Sequence, residues 1–175
     1  LRRYAQVFGL ALTVFLVQLA HYVFNNVFVY YVDYRYQWGQ QQVGYLLAVV
    51  GVLGAIVQAW LARRVIARVG ERRTLLIGTA CGVLGFAVYA FASTRWMFLF
   101  AMPIGALWGL ASPVTQSIMT RQVDPHEQGR LQGSVTSLAS TAGIFGPGLF
   151  TSVFAYFISA RTPVHFPGAP FLLSS

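Results

Sequence analysis

Thr74-Leu-Leu-Ile-Gly-Thr-Ala-Cys-Gly-Val-Leu-Gly-Phe-Ala-Val-Tyr-Ala-Phe-Ala-Ser-Thr94 carries no charged side chain, and Arg72, Arg73 and Arg95 bracket it. A helix made from it has no polar face wide enough to meet water. It is also long enough to cross a hydrocarbon core of about 30 Å, which takes roughly 20 residues. The pattern recurs along the chain: no Asp, Glu, Lys or Arg occurs from Tyr4 to Val32, Tyr36 to Ala62, Trp96 to Thr120 or Leu131 to Ala160. Five membrane spans are therefore predicted, at about 5–32, 43–62, 74–93, 96–119 and 131–158. Barrel strands are about 9–11 residues long with alternating polarity, so these spans are helices and the fold class is all-α integral membrane. Composition agrees, with 57% hydrophobic and 9% charged residues against roughly 25% charged in a soluble domain.

A formal charge of +8 raises the question of nucleic acid. Every basic residue is an arginine lying between spans or at their ends, with no basic stripe and no nucleic-acid motif, so no nucleic-acid partner is expected. Basic loops resist translocation and set orientation. Arg2, Arg3, Arg63, Arg64, Arg68, Arg72, Arg73, Arg121 and Arg130 fall on one side, and Arg35, Arg95 and Arg161 on the other. That asymmetry predicts a cytoplasmic amino terminus. Cys81 lies inside a span and can form no intramolecular disulfide. The chain opens with Leu1, and Gly168-Ala-Pro-Phe-Leu-Leu-Ser-Ser175 reads as the start of a truncated sixth span, so a fragment is expected.

Small residues recur at four-residue spacing in Gly51 and Ala55, Gly78 and Gly82, and Gly105 and Gly109, where helix backbones can approach closely. Pro103, Pro113 and Pro147 fall inside spans and can bend them. Polar side chains are unevenly shared. In the first span Gln18, His21, Tyr22 and Asn25 lie on one helical face; in the fourth, Trp108, Ser112, Thr115 and Met119 do so, with Gln116 at the edge. Polar groups in lipid are costly, so both faces are expected to line a bundle interior or a wet cavity. The third span offers little beyond Thr79, Cys81 and Tyr89 and is expected at the periphery.

Two readings stand for the main candidates. His21 can relay a proton or bind a substrate oxygen, or it can be a neutral histidine bonded to a neighbouring helix. Asn25 and Asn26 can hold a polar ligand or join two helices. Trp108 can be a stacking platform or packing, and Gln58 is expected to make a bond between helices. Among the loops, Arg68-Val-Gly-Glu-Arg-Arg73 reads as a tight turn in which Gly70 adopts a left-handed conformation and the arginines reach helix-end carbonyls or a facing carboxylate. In Arg121-Gln-Val-Asp-Pro-His-Glu-Gln-Gly-Arg-Leu-Gln-Gly133, Asp124-Pro125 can start a helix with Glu127 in its first turn. Gly143-Ile-Phe-Gly146-Pro147-Gly148 combines close packing with a bend in the last span.

Taken in order, these pieces resemble the carboxyl-terminal half of a major facilitator superfamily transporter, nearest the tetracycline-resistance type of drug:proton antiporter. The most specific part is Val123–Gly133, with Gln128, Gly129, Gln132 and Gly133, followed by Gly146-Pro147. The turn with Arg68, Gly70, Arg72 and Arg73 looks like the second copy of the superfamily's loop motif. Arg63 stands where that motif leads with glycine, and Ala67 where it has aspartate, so gating through that aspartate is not expected here.

The resemblance implies spans seven to eleven of twelve, with the start of the twelfth, in a six-helix half built of inverted repeats. It implies that the first helix of each repeat lines the cavity, which here means the first and fourth spans. It further implies a bacterial inner-membrane location, a small-molecule substrate, membrane lipid as surroundings and a missing amino-terminal half as partner. The proton gradient would be the energy source, with no cofactor and no metal. No carboxylate lies within a span, since Asp33 is at an outer end and Glu71, Asp124 and Glu127 are in loops. The resemblance assigns coupling carboxylates largely to the other half, so the chain alone is not expected to transport. A truncated or structural product is the alternative. An enzyme is not expected: no nucleophile–base pair, zinc cluster or phosphate-binding glycine loop is present.

Overall fold

A computed structural model describes residues 2–121, 123–159 and 165–175, with side chains 2–11, 13, 25 and 125 outside the description. Arg161, counted above toward orientation, lies outside the described residues. Among those described, all regular structure is helical: α1 (Arg2–Tyr36), α2 (Gln40–Ile56), α3 (Ala62–Val69), α4 (Glu71–Phe91), α5 (Arg95–Ala106), α6 (Ala111–Arg121), α7 (Gln128–Ile158) and the short α8 (Ala169–Ser174). A π-helical turn, Val57–Leu61, joins α2 to α3, and a 3-10 turn, Leu107–Leu110, joins α5 to α6.

Among the described residues, four continuous helical stretches are long and apolar enough to cross a membrane: Gln40–Val69, Glu71–Phe91, Arg95–Arg121 and Gln128–Ile158. Helix α1, at 35 residues, is longer than any of them. In lipid every backbone amide and carbonyl must be satisfied within the chain, which is why uninterrupted apolar sequence resolves into helix. The second span runs past its expected end at Ala62 to Val69. Arginine is a good helix former, so Arg63, Arg64 and Arg68 end the apolar run without ending the helix. Pro103 leaves the carbonyl four residues before it without its helical partner, and a turn later the fourth span tightens into the 3-10 segment. Pro113 falls in the first turn of α6, directly after the 3-10 segment.

The core is an aromatic and aliphatic cluster. Val23, Val27, Phe28, Tyr31 and Val32 of α1 meet Phe86, Tyr89 and Ala90 of α4, Phe98 of α5, Phe150 and Phe154 of α7, and Phe171 of α8. The longest seam runs between α1 and α7.

The third span is not peripheral in packing. α4 contacts α3, α5, α6, α8 and the 3-10 turn, and 39% of its most apolar window is buried, more than in the other three candidate spans. The reason is a row of buried glycines, Gly78, Gly82 and Gly85. A Cβ at Gly78 would lie 2.8 Å from Ala111 N, one at Gly82 2.9 Å from Trp108 Cγ, and one at Gly85 2.7 Å from Gly105 Cα. Gly109 touches Val57 and Gln58 at ordinary distance. The Gly51 and Ala55 pair makes no such seam: both are exposed, and nothing approaches within 4 Å of a Cβ at Gly51.

The two ends of α4 are tied down differently. At its carboxyl end, buried carbonyls that lack a helical partner are capped by side chains of another helix. Arg35 Nε donates to Ala92 O at 2.8 Å, as does the Tyr36 hydroxyl, also at 2.8 Å. The Tyr31 hydroxyl donates to Tyr89 O at 2.9 Å, and Arg95 Nη2 returns a bond to Tyr36 O at 3.1 Å. At its amino end, Gly70 breaks the helix with φ 82° and ψ 164°. The positive φ was anticipated, but ψ is extended rather than left-handed helical, a region that only glycine enters without strain. The Thr74 hydroxyl and amide both donate to Gly70 O.

Candidate functional site

Helix α1 and the break in the fourth span meet through two of the residues singled out above. The His21 and Trp108 rings stack at 4.8 Å between centroids with a tilt of 38°. Trp108 is held from behind: it lies over Gly82 and makes an edge contact with Phe86 at 5.2 Å. A Cβ at residue 82 would displace the indole, so the glycine row sets where this ring sits. His21 is exposed and Gln18 half-buried on α1; Ser112, Thr115 and Gln116 are exposed on α6. The side chain of Asn25 lies outside the described residues. One ring from α1 is thus paired with one from the fourth span, and exposed amide and hydroxyl groups lie elsewhere on the same two spans.

Tyr22 turns away from this group. Its hydroxyl reaches Ala139 O at 3.5 Å, and its ring fills the notch left by Gly143 and Gly146 of α7. Gly146-Pro147 lies within an unbroken α7, and Gly146 serves the close approach of Tyr22; the Thr151 hydroxyl donates to the Pro147 carbonyl. Asn26 donates to Tyr22 O within α1 at 2.8 Å. Gln58 lies on the π-helical turn, exposed and without a hydrogen bond among the described residues, so the expected bond between helices is not formed.

At the arginine-rich end, Arg68, Arg72 and Arg73 are exposed around Gly70. Glu71 is claimed by the fourth span: Arg121 Nη2 and Nη1 donate to its two oxygens at 2.9 and 3.3 Å, and the Ser117 hydroxyl donates at 3.2 Å. The sequence offered both charges but not their pairing. Asp124 precedes a 3-10 turn, Pro125–Glu127, that leads into α7. Gln128, Gly129, Gln132 and Gly133 therefore stand in the first turns of a helix rather than in a loop. Nothing lies within 4 Å of a Cβ at Gly129 or Gly133. No group of three or more His, Cys, Asp or Glu able to hold a metal occurs among the described residues.

Apolar helices joined by short turns define a multi-pass integral membrane protein. A family model described as Major Facilitator Superfamily matches residues 10–175, and the chain belongs to that family, one of transporters rather than enzymes. The tetracycline resistance protein, class C, of Escherichia coli is 36% identical over 141 residues, which are 81% of this chain and 36% of that relative. The class G protein of Vibrio anguillarum is 38% identical over the same shares of the two chains. The mouse Hippocampus abundant transcript 1 protein is 27% identical over 85% of this chain and 30% of its own length. The chain thus spans 36% of the length of the class C and class G relatives. No solved structure matches it.

Proposed function

We propose that this chain forms one wall of the substrate path in an exporter of small molecules such as tetracycline, driven by the proton gradient across a bacterial inner membrane. In this reading the chain contributes five spans, α1 among them, with its amino terminus in the cytoplasm. A separate amino-terminal half supplies the opposite wall and the coupling carboxylates. The observation that carries the reading is the His21–Trp108 ring pair, which joins the two spans that bear Gln18, Ser112, Thr115 and Gln116, in a chain similar to proteins named for tetracycline resistance.

Tetracycline uptake into everted vesicles tests it, in cells making the chain together with an amino-terminal half. His21→Ala and Gln18→Ala are expected to cut proton-driven uptake severalfold at unchanged protein level. Uptake unchanged in both variants overturns the first-span assignment.

A further inference from the structure

The helix that carries the second span does not stop where its apolar residues stop. From Gln40 to Trp60 it rises about 30 Å, one hydrocarbon thickness, so a boundary at the polar Gln40–Gln42 end puts the other boundary at Trp60, and α3 continues beyond it. Trp60 is exposed, and the guanidinium carbon of Arg64 lies 3.9 Å from the centre of its ring. A guanidinium stacked by its face keeps its N–H donors free at the edge, in the planar fork that suits phosphate oxygens.

One turn further along, Arg68 shares the face, and Arg63 is adjacent. Like charges four residues apart on a helix repel. No carboxylate relieves them: the ion pair formed among the described residues is Glu71 with Arg121, and Arg63, Arg64 and Arg68 are exposed without a partner there. An uncompensated basic face at the depth of an interfacial tryptophan calls for a counter-anion that is itself at that depth.

We infer that Trp60, Arg63, Arg64 and Arg68 form a headgroup site for an anionic phospholipid. The lipid phosphate lies between the guanidinium groups of Arg64 and Arg68, and its acyl chains run down the α2 surface past Trp60. The inference goes beyond the transport reading and does not depend on it. A freely dissolved phosphate would satisfy the charges equally but would have no use for Trp60, which favours lipid.

The test uses the 175-residue chain in nanodiscs of phosphatidylcholine with a minor share of phosphatidylglycerol, released for native mass spectrometry. The wild-type chain is expected to retain phosphatidylglycerol in excess of its share. Each of Arg64→Gln and Arg68→Gln should lower that excess about fivefold at low salt, from roughly 1 kcal/mol per basic residue near an anionic surface. Arg72→Gln with Arg73→Gln, which removes twice the charge of either single variant from the same end, should leave it largely intact. Trp60→Ala keeps every charge and should reduce retention, so it carries the test if a charge variant fails to fold. No excess in the wild type, a loss in the Arg72 and Arg73 double variant as large as in Arg64→Gln or Arg68→Gln, or unchanged retention in Trp60→Ala overturns the site. Displacement of the lipid by millimolar inorganic phosphate would also overturn it, by assigning the anion to solution.

Discussion

Arg121, the last residue of α6, grips Glu71, the first residue of α4, with two guanidinium nitrogens at 2.9 and 3.3 Å from its two oxygens. Each charge also complements the dipole of its own helix, acid at an amino end and base at a carboxyl end. The Arg121 side chain is 70% exposed, so the pair is screened and its coupling should be under about 1 kcal/mol. A double-mutant cycle of Glu71→Gln and Arg121→Gln, read by thermal unfolding in detergent, should give a small positive coupling that shrinks with added salt. A coupling of several kcal/mol would show that the pair is sealed from water.

Three glycines should respond differently to one added methyl group. Gly85→Ala drives a Cβ to 2.7 Å from Gly105 Cα, where only backbone can yield, and should cost about 1–3 kcal/mol as overpacking. Gly70→Ala meets no atom within 4 Å but must hold φ 82° with ψ 164°, a strain of about 1–3 kcal/mol. Gly51→Ala meets neither obstacle and should be neutral or stabilising by up to about 1 kcal/mol. Thermal denaturation of the three variants checks the order; a destabilised Gly51→Ala would place a neighbour against that face.

Ala92 O receives both Arg35 and Tyr36. Removing one donor leaves the other in place, while removing both leaves the carbonyl only the long contact from the Tyr31 hydroxyl at 3.5 Å, at about 1–3 kcal/mol. Arg35→Met and Tyr36→Phe should therefore each be mild, and the double variant should lose more than their sum. Simple additivity in unfolding midpoints would mean that Ala92 O finds water readily.

His21→Phe separates the two readings of the imidazole. Phenylalanine keeps a ring against Trp108 and should preserve stability, whereas alanine removes the contact. If the imidazole nitrogens serve substrate or proton, uptake in the vesicle assay falls in both variants. If the ring serves only packing, the phenylalanine variant retains uptake near wild type.

Charge-free runs bounded by arginine made the helices legible, because lipid leaves the backbone no other arrangement. The first and fourth spans could be singled out for the same reason: a polar residue in lipid needs a destination, and His21 and Trp108 share one. Tyr22 went astray because a hydroxyl on an amphipathic ring reads as polar while its body fills the Gly143 and Gly146 notch. The third span was misjudged because lack of polarity says only that a face is dry. Gly78, Gly82 and Gly85 carry no polarity to read, and which backbone presses on them depends on how the fourth span folds back. Arg35 and Arg95 counted as exceptions to a charge asymmetry, yet each caps the end of a neighbouring helix, a pairing across 57 and 59 residues that no local pattern encodes.

That reciprocal capping carries a timetable for biosynthesis. When α1 leaves the ribosome, Tyr36 O has no Arg95 to meet, since that residue follows 59 positions later, and Arg35 has no Ala92. The end of α1 must therefore stay hydrated, or be sheltered by the insertion machinery, until two further hairpin arms have entered. The same bonds then close in both directions at once, so the step that finishes the fourth helix also completes the first.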